Sequence, residues 1–156
     1  MEIGSAAIGP EGGHLAGRKL LQTMYENRYH RPMPEILTTE QGKPYFVGDP
    51  VYFSVSHTKT RVFCALSERP VGIDAEDMTR YIRPELAEKI LSPSEKLRYA
   101  AAEDKNSALL RFWVLEEAAA KCTGEGLRGY PDHTDFSPDD PRVQMLEGCF
   151  VAVVEK

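Results

Sequence analysis

Two periods organise the apolar positions of this chain. In "LAGRKLLQTMY", Leu15, Leu20, Leu21 and Met24 recur at near-helical spacing and predict a helix. The prolines of "RPMPEILTTEQGKP" break that pattern and lead into a Gly-Lys-Pro turn. Further on, "RVFCALS" and "PVGID" are rich in β-branched and aromatic residues and predict two strands joined by a short connection. Two helices follow. Ser92-Pro93-Ser94-Glu95 has the form of a capping box with proline in the first turn, so one helix starts there and runs to about Ala102. The next begins between Asp104 and Ser107, carries "ALLRFWVLEEAAAKC" and stops at Gly124. "GCFVAVVEK" predicts a last strand. The opening "MEIGSAAIGPEGG" has glycines and no period, so residues 1–13 are expected to be a flexible lead-in. No internal repeat is legible. The mixture predicts an α+β fold, a small and mostly antiparallel sheet packed by helices.

Composition narrows the partners. At 156 residues, 42% hydrophobic and 28% charged, the chain suits one globular domain with a real core. A net charge of −5 and the absence of a Lys/Arg block argue against nucleic acid. No apolar run approaches the ~20 residues of a membrane span. The first residues lack the basic-then-apolar order of a signal peptide. Cys64, Cys122 and Cys149 are odd in number and widely spaced, which fits reduced thiols in the cytoplasm better than zinc.

"RPVGIDAEDM" holds the first chemical clue. Asp74 and Glu76 are two apart, so a strand places both carboxylates on one side, at or just past its end. Like charges that close call for a cation between them. Glu117 and Lys121 are four apart on one helix face, with Trp113 a turn earlier. "FSVSHTKTRV" sets Ser56 and His57 in a polar turn, and "GKPYF" holds Lys43 between glycine and proline. Lysine, histidine, hydroxyls and turn N–H groups all suit phosphate. Each feature also has an ordinary structural reading, as a surface ion pair, a solvated acidic turn or a satisfied loop histidine.

The order GKP, SVSH, GIDAE, WVLEEAAAK resembles the 4'-phosphopantetheinyl transferases, most of all the larger subgroup that activates peptide and polyketide synthases. The likeness covers about residues 15 to 127. It implies transfer of 4'-phosphopantetheine from coenzyme A to a serine of an apo acyl or peptidyl carrier protein, releasing 3',5'-adenosine bisphosphate. It further implies Mg²⁺ held by Asp74, Glu76 and Glu117, with Glu117 as base, Lys121 on the transferred phosphate, and Lys43, Ser56 and His57 on the nucleotide phosphates. A non-catalytic relative that binds coenzyme A or a carrier protein, and a structural domain built on ion pairs, are the alternatives.

Three departures stand out. Glu116 occupies a position where the family motif has lysine, and Ser54 one where it has asparagine. The chain also starts well inside the first lobe of larger members. The expectation is therefore a reduced first lobe over residues 14–68, a fuller second lobe over 69–156, and either weak coenzyme A binding or self-association into a homo-oligomer. Arg80, Arg83, Lys96 and Arg98 are the candidate basic patch for a carrier protein.

Overall fold

Strand alternation and helical periodicity resolve into the same unit twice. A computed structural model of the chain describes residues 1–124 and 135–156. The first unit is β1 (Glu2–Ala7), α1 (Gly13–Tyr29), β4 (Tyr52–His57) and β5 (Arg61–Ser67), with a small hairpin of β2 (Ile36–Thr38) and β3 (Pro44–Phe46) inserted after the helix. The second is β6 (Val71–Asp77), α4 (Lys105–Thr123), β7 (Val143–Leu146) and β8 (Cys149–Glu155), with α2 (Leu86–Ile90) and α3 (Pro93–Ala101) inserted before the helix. Both sheets are antiparallel, and their orders match: β1-β5-β4 and β6-β8-β7. In each, the first strand pairs with the last. The repeat lies in topology and not in sequence. The first lobe is the smaller, having no counterpart of α2 and α3, but its strand–helix–strand–strand core is whole.

The α+β expectation holds, with corrections. Residues 1–13 are not a lead-in throughout: β1 pairs with β5 from Glu2↔Leu66 to Ala7↔Arg61, and α1 starts at Gly13. "YFSVSH" is not a polar turn but β4, in which Phe53 and Val55 face α1 while Ser54 and Ser56 are buried on the other side. The β2–β3 hairpin, α2 and β7 were likewise not evident in the pattern. The expected helices are present as α3 and α4: Ser92 and Glu95 form both bonds of the capping box, and Gly124 takes the left-handed conformation at φ 77°.

Three clusters form the core. Leu21, Met24 and Tyr25 of α1 pack on Phe46, Phe53, Cys64 and Leu66. Leu110, Phe112 and Leu115 of α4 pack on Leu91, Phe136 and Phe150. Between the sheets, Phe63 and Ala65 meet Val71, Ile73 and Val151. Alternate residues of β5 thus serve two cores. Among the described residues, no helix is long and apolar enough to cross a membrane.

β4 and β6 meet in a seam that belongs to neither sheet. Ser54 Oγ accepts the N–H of Ile73 at 3.0 Å, and Ser56 Oγ accepts that of Ala75 at 3.2 Å. Side-chain hydroxyls there stand in for strand carbonyls, which satisfies two buried N–H groups.

Candidate active site at the lobe junction

The junction is set by two close approaches. Gly72 of β6 lies against α4 so tightly that a Cβ on it would sit 1.9 Å from Ala118 O. Gly17 of α1 lies against β4 and β5, where a Cβ would meet Val55 Cγ1 at 2.8 Å. The helices therefore flank a cleft of about 400 Å³. One wall comes from α1 and β4, with His14, Arg18 and His57; the other comes from α4, with Glu117 and Lys121; Gln41 and Lys43 also line it.

Each residue singled out in the sequence has a definite place. Asp74 and Glu76 lie within β6, two apart, and not past its end. The cations beside them are protein groups. Lys121 Nζ sits 3.0 Å from Asp74 Oδ1, and Arg80 pairs with Glu76. Asp74 is buried, and Ser56 Oγ donates to the same Oδ1 at 3.1 Å. Burial pushes the Asp74 carboxyl above its usual range, against the pull of Lys121 and Ser56, with the Glu76 charge adding to the rise. Glu117 is raised as well, first by burial and then by the Asp74 charge; Lys121 opposes this and Glu76 adds to it. The three acids therefore feel one another.

Ser56 does not line the cleft. Its hydroxyl is spent on Asp74 and on Ala75 N–H. His57 does line it, and its ring lies against Gly13 at the start of α1. Lys43 lines it too, while its ammonium donates to Cys122 O at 2.7 Å, on the last turn of α4; burial lowers its pKa. Glu116 is fully buried and is not among the cleft residues, so its charge does not stand in the cleft beside Lys121. His14, Arg18 and Gln41 are cleft residues that the sequence reading missed. The available signal was the i, i+4 spacing of His14 and Arg18 directly after Gly12-Gly13.

The donor set suits a hard divalent cation. Asp74 Oδ2 is buried and has no hydrogen-bond partner among the described residues. Two further carboxylates lie within electrostatic reach of it. Among the described residues, no three His, Cys, Asp or Glu side chains are grouped closely enough to hold a metal unaided. Asp74, Glu76 and Glu117 therefore do not form a closed metal cage; magnesium commonly takes one or two carboxylates and completes its shell with phosphate and water oxygens.

Known proteins are similar to this chain in sequence. The family model for the 4'-phosphopantetheinyl transferase superfamily matches residues 70–148, from the start of β6 through β7. The 4'-phosphopantetheinyl transferase gsp of Aneurinibacillus migulanus is 34% identical over 117 residues, which is 72% of this chain and 48% of that protein. AcpT of Salmonella typhimurium is 37% identical over 119 residues, covering 70% and 57% of the two chains. Sfp of Bacillus subtilis is 30% identical over 118 residues, covering 72% and 52%. The chain spans about half the length of the curated relatives it matches. With β6, α4 and the strand after them inside the matched segment, this chain belongs to the 4'-phosphopantetheinyl transferase superfamily.

Proposed function

We propose that the protein transfers the 4'-phosphopantetheine group of coenzyme A to a serine hydroxyl of an apo acyl or peptidyl carrier protein, with Mg²⁺, in the cytoplasm. The observation that carries this reading is the meeting of basic groups and a carboxylate in one cleft. Arg18, His57, Lys43 and Lys121 line that cleft together with Glu117. A polyanion and a hydroxyl nucleophile need both: cations to bind phosphate, and a carboxylate to take a proton. Three free, buried cysteines fit a reducing compartment.

In the step proposed, the serine oxygen bonds to the phosphorus that carries the pantetheine arm. The bond from that phosphorus to the leaving oxygen breaks, and 3',5'-adenosine bisphosphate departs. Glu117 takes the serine proton, from its place on the wall of the cleft. Lys121 neutralises charge on the transferred phosphate. Arg18, Lys43 and His57 orient the nucleotide phosphates. Asp74, Glu76 and Glu117 would hold Mg²⁺ only with substrate phosphate and water oxygens completing its shell, and the ion would supply charge neutralisation. Ser56 is better read as support for Asp74 than as a phosphate contact. The basic patch expected for the carrier protein is weakened, since Arg80, Lys96 and Arg98 are each paired with an acid, Glu76, Glu88 and Asp135.

A second reading has its own support. Lys121 and Arg80 already neutralise Asp74 and Glu76, as in a relative that binds coenzyme A or a carrier protein without catalysis. Intact mass spectrometry of an apo carrier protein after incubation with this protein, coenzyme A and Mg²⁺ separates the two. The transferase adds the phosphopantetheine mass, and Asp74→Ala and Glu117→Ala lose that gain. No gain with acyl and peptidyl carriers, while coenzyme A still raises the melting temperature, selects the binding protein.

A further inference from the structure

Lys121 makes more contacts than a phosphate ligand needs. Its Nζ donates to Val55 O at 3.4 Å, Ile73 O at 3.0 Å and Asp74 Oδ1 at 3.0 Å. An ammonium has three N–H donors. All three are directed at the seam, although the side chain is one-third exposed and borders the cleft. Asp74 is gripped at one oxygen only. Ser56 and Lys121 both hold Oδ1, while Oδ2 is buried with no hydrogen-bond partner among the described residues.

We propose that Lys121 is the resident counter-ion of Asp74, that a divalent cation exchanges with it, and that this exchange is what delivers the ammonium to the cleft. Ser56 is the positioning residue that holds Asp74 still while its cation changes. The inference rests on the metal reading above and adds an order of events to it. A buried carboxylate stripped of its cation is costly, so the site keeps one at all times. An ammonium and a divalent cation repel at a shared carboxylate, even on its two different oxygens, so each weakens the other's hold on Asp74. The lysine is the one able to leave. Its stem starts from α4 on the same face as Glu117, one turn on, and rotation of its own bonds is enough to swing the head from seam to cleft. The exchange asks for no shift of the helix, whose backbone lies close against β6 at Gly72.

Departure leaves Val55 O and Ile73 O without that donor, which opposes metal binding on its own. A phosphate anion in the cleft gives the freed ammonium a new partner and removes the opposition. Metal and coenzyme A therefore bind with positive coupling, each raising the affinity for the other by one common factor.

The test is a Mn²⁺ titration of the full chain without coenzyme A, followed by electron paramagnetic resonance. Lys121→Gln keeps hydrogen-bond donors and drops the charge, while Lys121→Met drops both; where the methionine variant does not fold, the glutamine variant decides. Without the competing cation, Mn²⁺ binds about tenfold more tightly than to wild type. In wild type, Mg²⁺ also raises the rate at which an acetylating reagent labels Lys121, read by peptide mass spectrometry. Ser56→Ala weakens Mn²⁺ binding, Ser56→Thr restores it, and metal-free coenzyme A affinity stays put in both. Unchanged or weaker Mn²⁺ binding in Lys121→Gln overturns the exchange. A Ser56→Ala variant that loses only coenzyme A affinity overturns the positioning role. Asp74→Asn separates the levels: if it binds Mn²⁺ like wild type, the metal reading falls and the inference with it, whereas Asp74-dependent binding indifferent to Lys121 sinks the inference alone.

Discussion

The two lobes share a topology and solve the same packing problem in opposite ways. Each must bring a helix close to a sheet so that its polar face reaches the junction. In the second lobe the glycine is on the strand, and Gly72 lets α4 rest backbone-to-backbone on β6. In the first it is on the helix, and Gly17 lets α1 rest on the methyl groups of Val55 and Val62. A contact between backbones has no compliance; a contact with side-chain ends has some. The lobe that fixes Asp74, Glu117 and Lys121 relative to one another is the stiff one. The lobe that offers Arg18 and His14 to the cleft is the adjustable one. Identical topology therefore does not mean identical tolerance.

Gly72→Ala should break the comparison most severely. Its methyl group meets Ala118 O and Cys122 N, neither of which can rotate away, so a loss of about 3 kcal/mol or more is expected in urea unfolding. Ser54→Ala tests the seam between the lobes. It leaves the buried N–H of Ile73 without its acceptor, for a loss of about 1–3 kcal/mol, and Ser54→Thr should recover part of it. Gly17→Ala is the mirror of the first substitution and should be mild. Displacement of the Val55 methyl is offset by about 1 kcal/mol of helix propensity, leaving a net change of about 1 kcal/mol or less. A loss as large as that of Gly72→Ala would remove the distinction between stiff and adjustable lobes.

The smallest effect is an acid-side one, confined to the first lobe. Burial alone would raise the Asp49 carboxyl, but hydrogen bonds from Tyr25, Val51 N–H and Arg31 hold it below the usual carboxylate range. A depressed carboxyl contributes stability that is complete above its unfolded value near ~4 and disappears as pH falls through the folded value. Urea midpoints measured from pH 5 downward should fall for wild type through that window. Asp49→Asn should show a shallower fall, from a lower starting point.

How much was legible follows from what each pattern depends on. Helices α3 and α4 announced themselves because their caps are local: Ser92 with Glu95, Asp104 with Ser107, and Gly124 at the end. β6 was visible from its β-branched residues. β1 was not, since "EIGSAA" has little strand propensity and owes its form to pairing with β5. β4 alternated apolar and polar residues as a strand should, but its buried serines looked like turn residues, because what they serve lies across the seam. At the junction, the spacing of the carboxylates and Lys121 was visible but read as readily as solvated ion pairs; only the order of the motifs singled these residues out. Arg18 and His14 were hidden on a helix judged by its apolar stripe, and the seam role of Ser56 required knowing where β6 would lie.

The hydroxyl-stitched seam has a consequence for hydrogen exchange. Within β6, the amides of Gly72, Asp74 and Glu76 face β8 by strand alternation, whereas those of Ile73 and Ala75 are covered only by Ser54 and Ser56. The first set exchanges when the second sheet opens. The other two exchange as soon as the lobes part, with both sheets intact. Five consecutive residues thus carry two clocks, and the ratio between them reports the opening of the junction separately from the unfolding of the protein.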